Sequence, residues 1–244
     1  MLKISNLLAV VRSKKEVVVE SSELERERKL RKSISKLTHE LKNPIAVCNG
    51  YLEMLNLDDK EKSQEYVDII KSEMNRSITV INDFSAFQKI KKLDLEEMDL
   101  IFLLEEISII LNPLLQEKDV HLHIQAKEEV YLLGDYNRLK QVFINLIKNS
   151  IEAKKEFRTL DIFVVVKEYR EKIRIMIQDN GIGISKDNLS HITETFYTTK
   201  QFGTGLGTAY CKEIVKLHHG SIQYHSVENV GTKVFITLPK EKKS

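Results

Sequence analysis

Two cysteines, Cys48 and Cys211, are all that the 244 residues contain, far apart and with no CxxC partner for either. That excludes a disulfide framework and a cysteine-built zinc site, and suits reduced thiols in the cytosol. Long hydrophobic runs are also missing. The nearest approach, "LIFLLEEISIILNPLL", is interrupted by Glu105, Glu106 and Pro113, which is incompatible with a bilayer span. The opening "MLKISNLLAVV" is too short to span, and no small-residue cleavage site follows it. The chain therefore reads as soluble and cytoplasmic. Its abrupt helical start suggests an upstream sensor region through which a parent protein is anchored in a membrane. An excess of one charge is absent too: 38 basic residues stand against 36 acidic ones, net +2, spread along the whole chain. Nothing there suggests a nucleic-acid partner. Finally, neither the P-loop pattern GxxxxGK[ST] nor GxGxxG occurs, which removes the two commonest nucleotide folds.

What remains is long enough for one large domain or two modest ones. The reading divides it into an N-terminal segment or linker (1–20), a helical domain (21–92) and a mixed domain (93–244). In the helical part, apolar residues fall at Leu24, Leu30, Ile34, Leu37, Leu41, Ile45, Cys48, Leu52 and Leu55. From Leu30 the steps alternate four and three, the seam of a helix packed on other helices. The polar "NLDDK" at 56–60 is a turn, and a second series follows at Tyr66, Val67, Ile70, Met74, Ile78, Ile81 and Phe84. Two long amphipathic helices joined by a short turn make an all-α hairpin. One hairpin buries a single face of each helix, so the seam needs a partner. Two copies would form a four-helix bundle, which predicts a homodimer through residues 20–90.

After Lys92 the periodicity changes. "DLIFLLEEISIILNPLLQEK" reads as helix, "VHLHIQ" and "YLLGD" as strands, and "DYNRLKQVFINLIKNSIEAKK" as a helix with Asp135 as N-cap. "LDIFVVVKEY" and "KIRIMIQDN" read as a strand pair around the turn "REK". A polar, Gly- and Thr-rich stretch over 181–205 leads to the helix "GLGTAYCKEIVKLHH". Strands "SIQYHSV" and "TKVFITLP" close the chain around "ENVG". This half is an α+β sandwich, with helices on one face of a mixed sheet.

Several features here suit phosphate chemistry. "NLIKN" puts Asn145 and Asn149 one helical turn apart with Lys148 beside them, and amide carbonyls can ligate Mg²⁺. "DNGIGI" ends a strand with Asp179, followed by glycines that permit close backbone approach. "GTGLG" at 203–207 opens a helix, where backbone N–H groups form an anion site. Each feature alone is commonly a solvated face or a turn; their order and spacing carry the argument.

Taken in order, "NLIKNSIEA", "DNGIGI", "FYTTK" and "GTGLG" resemble the N, G1, F and G2 boxes of the GHKL (Bergerat-fold) ATP-binding domain. "THELKNPI" resembles the H box of the HisKA phosphoacceptor domain of sensor histidine kinases, and the style of the boxes is similar to that of sporulation kinases. The resemblance implies that His39 accepts the γ-phosphoryl group of ATP. Glu40 then hydrogen-bonds the imidazole as a base, and Asn43 positions the phosphoryl group or a water. It implies Asn149 as the Mg²⁺ ligand and Asn145 and Lys148 as phosphate contacts. Asp179 accepts the adenine amino group, with Gly181 and Gly183 shaping the base pocket. Residues 185–204 form a lid, and Gly203, Gly205 and Gly207 close on the phosphates. Thr199, Lys200, Thr204 and Leu206 belong to the same nucleotide-binding set. Two departures stand out: Thr208 follows Gly207 where the box usually continues with Leu, and "HITETFYTTK" lacks the usual acidic–proline pair.

The implied activity is a protein-histidine kinase. It passes the group from His39 to an aspartate of a response regulator docked near residues 40–55 and 75–85, with phosphatase action through Asn43. Inhibitory proteins that bind the hairpin are further implied partners. The alternatives are a GHKL-type clamp ATPase, disfavoured by the HExxNP hairpin, and a non-catalytic scaffold, disfavoured by intact Asn149 and Asp179. Pro44, lacking an N–H for the Glu40 carbonyl, predicts a bend just after His39. The other histidines read as structural. His121 and His123 alternate on a strand, while His218 and His219 end a helix, where a cationic ring suits the dipole. Tyr and Phe at helical or strand spacing read as core.

Overall fold

A computed structural model describes residues 34–56, 59–88, 92–126, 129–156, 158–200 and 203–240. The N-terminal segment 1–20 and the seam positions Leu24 and Leu30 lie outside the described residues. The chain forms two compact units, Met1–Ile81 and Asn82–Ser244.

In the first unit, helix α1 covers 34–53 and α2 runs Lys60–Gln88, continuing past the division at Ile81. The turn between them is closed by side chains. Asp59 caps α2 by accepting from the Lys62 N–H (3.2 Å), and Ser63 Oγ donates to the Asn56 carbonyl (2.6 Å). Packing between the helices is carried by Tyr51 against Tyr66, with ring centroids 5.2 Å apart, and by the Cys48 thiol donating to the Ile70 carbonyl. Tyr66, Ile70 and Val80 are buried, whereas Ile45, Leu52, Met74 and Ile78 are each more than half exposed. One hairpin thus leaves much of its apolar seam in water. Helix α1 runs unbroken through Pro44, which is buried.

The second unit is built on a five-stranded sheet, ordered β2-β4-β5-β7-β6. The strands are β2 (Val120–Gln125), β4 (Leu160–Glu168), β5 (Lys172–Asp179), β6 (Ser221–Val227) and β7 (Gly231–Pro239). β2 pairs with β4 in parallel and every other pair is antiparallel, the mixed sheet expected from the alternating patterns. Alternation decides the faces: Ile162, Val164 and Val166 are buried, while Asp161, Phe163 and Val165 lie on the open side. Helices α3 (Leu100–Glu117), α4 (Tyr136–Glu152) and α6 (Gly207–Leu217) cover the buried face. Phe143, Leu104, Ile107 and Ile214 complete one contiguous core with it. Each such side chain contributes about 1.5–3 kcal/mol by leaving water.

Three features depart from the sequence reading. β1 (Glu96–Asp99) pairs antiparallel with β3 (Tyr131–Gly134); "EEMD" carries no strand signal, and its pairing is dictated by the partner. The polar stretch contains a six-residue helix, α5 (Lys186–His191), capped by Ser185. Some aromatics, such as Phe102 and Tyr169, are exposed rather than core.

His218 also requires correction. It is not a cationic ring at a helix end but a buried neutral one. Its Nε2 accepts from the Asp135 N–H (2.9 Å), while Nδ1 faces the Ile214 carbonyl at 2.8 Å. A ring nitrogen that accepts from an amide cannot carry a proton, and burial pushes the pKa below its ordinary value. The ring joins the end of α6 to the start of α4. There Asp135 caps the helix by accepting from the Arg138 N–H (3.0 Å), as the sequence predicted. Among the described residues, no helix is long and apolar enough to cross a membrane.

Candidate functional site

Helix α4 is the floor of the site. Its inner face buries Leu139, Val142, Phe143, Leu146 and Ile147, so the residues between them turn outward: Asn145 and Asn149 half-buried, Lys148 and Glu152 exposed. Asn145 accepts from Gln141 Nε2 (2.8 Å) and lies beside Gly207, the first residue of α6; a Cβ there would be 3.7 Å from Asn145 Nδ2. The first amide of "NLIKN" and the end of "GTGLG" are therefore brought together. At the other amide, Asn149 Oδ1 accepts from Lys200 Nζ (2.8 Å), and the same ammonium pairs with the Glu152 carboxylate. Two oxygen donors converge on one cationic point, which is the donor chemistry a hard cation requires.

The end of β5 supplies the opposite wall. Asp179 is only 6% exposed. Its Oδ1 accepts from the N–H groups of Gly181 (3.0 Å) and Thr232 (3.1 Å), and its Oδ2 from Ser150 Oγ (3.0 Å). Burial pushes the carboxyl pKa up; the three donors oppose that shift. Two oxygens offer about four acceptor positions, so these three bonds leave one for a further donor. Ser150 and Thr232 were not singled out from the sequence. Ser150, one residue past Asn149, is the only polar residue on the buried face of α4. Thr232 directly follows the glycine that opens β7.

Glycine at 183 is a steric requirement. Its φ of +68° is left-handed, and a Cβ would stand 2.1 Å from the Val227 carbonyl oxygen. Gly205 has φ +64°, with the Phe196 backbone 2.4 Å from where a Cβ would be, and its carbonyl accepts from the Phe196 N–H (2.8 Å). The aromatic of "FYTTK" is thus tied to the middle of "GTGLG". Gly203 donates its N–H to the Lys200 carbonyl (3.2 Å), and Thr204 Oγ1 donates to Asp83 within the second unit (2.8 Å). Leu206 is buried at the start of α6, and Thr199 is exposed. Thr208, the departure from the usual box, donates its hydroxyl to the Ile192 carbonyl and so fastens α6 to the end of α5.

In the first unit His39 and Asn43 are exposed and one turn apart on α1, hence on one face. Glu40 is half-buried, about 100° around the helix from His39.

Comparison with known proteins places these features in a family. Residues 29–92 match the His Kinase A (phospho-acceptor) domain. Residues 134–242 match the histidine kinase-, DNA gyrase B- and HSP90-like ATPase. The sensor protein DegM of Bacillus sp. (strain B21-2) is 30% identical over 244 residues, covering 99% of this chain and 63% of DegM. Sporulation kinase B of Bacillus subtilis (strain 168) is 32% identical over 208 residues, covering 84% of this chain and 48% of that protein. The chain thus spans about half to two thirds of these relatives' length. Among solved structures, histidine kinase ThkA in complex with response regulator protein TrrA matches with TM-score 0.74 and 28% identity. That match covers 91% of this chain and 66% of the ThkA chain. With the phosphoacceptor hairpin followed by the ATP-binding sheet domain, the chain belongs to the sensor histidine kinases.

Proposed function

We propose that the chain is the kinase portion of a two-component phosphorelay, autophosphorylating His39 from ATP and passing the group to an aspartate of a response regulator. One observation carries this reading: an exposed imidazole on the phosphoacceptor helix is encoded in the same chain as a buried, acceptor-bearing carboxylate in an ATP-binding fold.

The residues divide the work. Asp179 takes the adenine amino group on its remaining acceptor position, held in place by Ser150, Gly181 and Thr232. Asn149 and Glu152, whose oxygens now face the Lys200 ammonium, would hold Mg²⁺. The ion, once bound, neutralises charge on the phosphates. Lys200 and Lys148 then face the phosphate oxygens, and Asn145 with the backbone of 203–207 lines their path. At His39 an unprotonated ring nitrogen attacks the γ-phosphorus. A P–N bond forms, the bond to the bridging oxygen breaks, and ADP leaves with that electron pair. Glu40 takes the proton from the other ring nitrogen.

The exposed apolar positions Ile45, Leu52, Met74 and Ile78 support a homodimeric four-helix bundle. The ThkA–TrrA complex supports a response regulator as partner, and the docking position we assign to it is the hairpin near 40–55 and 75–85. Asn43, on the face of His39, suits a water-orienting role in the reverse, phosphatase direction.

Incubation with γ-labelled ATP and Mg²⁺, wild type beside His39→Gln, tests the reading. Acid-labile, base-stable label should appear on the wild type alone. Equal label on the variant would mean that another residue is the acceptor.

A further inference from the structure

On the open face of the sheet, away from the helices, three ligand-bearing side chains meet at the β2–β4 edge. The parallel register sets His121 directly beside Asp161 and His123 beside Phe163, so both rings and the carboxylate project from the same face. Asp161 Oδ1 lies 3.6 Å from His121 Nδ1 and 3.1 Å from His123 Nε2, and all three ligand atoms fall within 4.8 Å of one another. We propose that His121, His123 and Asp161 form a binding site for a divalent transition-metal ion of the zinc class.

The geometry is close to what such an ion needs. Metal–nitrogen and metal–oxygen bonds of about 2.0–2.2 Å at a tetrahedral angle put neighbouring ligand atoms roughly 3.3–3.5 Å apart. Two of the three separations straddle that value, and the third is at most 4.8 Å. The ligand set also selects the metal. Two imidazoles and one carboxylate suit zinc, nickel, copper or cobalt, whereas Mg²⁺ and Ca²⁺ prefer oxygen alone. The site therefore does not compete for the ion used at the phosphates.

The surroundings hold the ligands still. The His123 ring stacks on Phe163 with centroids 4.7 Å apart and 16° between planes. The Asp161 backbone N–H donates to Asn180 Oδ1 (3.0 Å), fixing the start of β4 to the residue after Asp179. Preorganised second contacts of this kind typically change metal affinity 10- to 100-fold. Both histidine side chains are about half exposed, 59% and 45%, so an ion can enter and keep water in its remaining positions. Bound there, it clips β2, an edge strand of the sheet, to its neighbour.

The test is calorimetric titration of the nucleotide-free, full chain with ZnCl₂ in a non-coordinating buffer, with MgCl₂ in parallel. One Zn²⁺ per chain should bind the wild type. Affinity should fall at least about tenfold in His123→Ala and in Asp161→Asn, and stay unchanged in His225→Ala, an exposed histidine on β6. Zn²⁺ should also raise the thermal midpoint of the wild type and of His225→Ala, not of the two ligand variants. All three substituted positions lie on strands with their side chains outside the core, so the variants keep the fold, which circular dichroism checks. Equal Zn²⁺ affinity across the variants, or no binding to the wild type, overturns the proposal.

Discussion

Replacing Asp179 by Asn separates what this residue does for the nucleotide from what it does for the fold. Asparagine has the same shape, and its carbonyl oxygen can keep both amide donors, Gly181 and Thr232, that now reach Oδ1. Ser150 can rotate its hydroxyl to accept from the new amide nitrogen rather than donate to Oδ2. Both backbone donors and the new amide nitrogen stay paired, so the usual 1–3 kcal/mol cost of an unsatisfied group does not arise for them. The charge works in the variant's favour. Burial raises the Asp179 pKa above its ordinary 3.8, so the folded state binds this proton more tightly than the unfolded chain does. The stability associated with the neutral form is fully present below 3.8 and is lost as pH rises through the folded-state value. At pH 7 the wild type has lost it and the asparagine variant, permanently neutral, has not. Asp179→Asn should therefore be at least as stable as the wild type at pH 7, with the difference shrinking towards pH 4. Nucleotide binding should move the other way. A hydrogen bond from the adenine amino group to a carboxylate is worth about 1.5–3 kcal/mol, so ADP affinity should fall roughly 10- to 150-fold. Urea unfolding at both pH values and ADP calorimetry read the two effects. A variant that binds ADP within about threefold of the wild type refutes the acceptor role. One that loses more than about 1 kcal/mol of stability at pH 7 refutes the burial argument.

Two further outcomes follow from other parts of the second unit. Glu152→Gln keeps an oxygen donor beside Asn149 but removes its charge, so the Mg²⁺ concentration for half-maximal nucleotide binding should rise about three- to tenfold, with metal-free ADP affinity unchanged; a Mg²⁺ titration at fixed nucleotide decides it. His218, whose pKa burial pushes below the ordinary 6.5, gives stability that is present above 6.5 and lost as pH falls through its folded-state value; His218→Gln should flatten the decline in urea midpoint between pH 7.5 and 5.5.

The sequence exposed most of this architecture because the second unit obeys its own periodicities. Alternation in "LDIFVVVKEY" and the apolar stripe of "QVFINLIKNSI" fix which side chains are buried without help from distant residues. β1 was invisible because four residues, three of them acidic, become a strand only by pairing with β3. The environment of His218 is hidden for a related reason. A histidine at the last turn of α6 looks solvent-facing until the Asp135 amide, 83 residues earlier, arrives to donate to it. The site shows the same division. "DNGIGI" names Asp179 and Gly183, but Ser150 and Thr232, which hold the carboxylate in place, come from α4 and β7 and have no motif of their own. Glu152 has no motif either, because its partner, Lys200, comes from 48 residues further along the chain.

In the proposed function, the Lys200–Glu152 contact sets the energetics of loading the site. The Lys200 ammonium rests between Asn149 and Glu152, with Lys200 and Glu152 side chains 41% and 55% exposed. An ion pair so open to water is worth at most about 1 kcal/mol and is weakened further by salt. A triphosphate carrying a divalent ion offers both groups better partners, the metal for the two oxygens and the phosphates for the ammonium. On the proposed reading, the contact is consequently too weak to resist a metal-bound nucleotide. A tighter pair, buried and fully hydrogen-bonded, would cost several kcal/mol to break and would slow entry. The open position of Lys200 is what an exchangeable occupant of the proposed metal site requires, and it follows from placing Glu152 on the outward face of α4, one turn beyond Asn149.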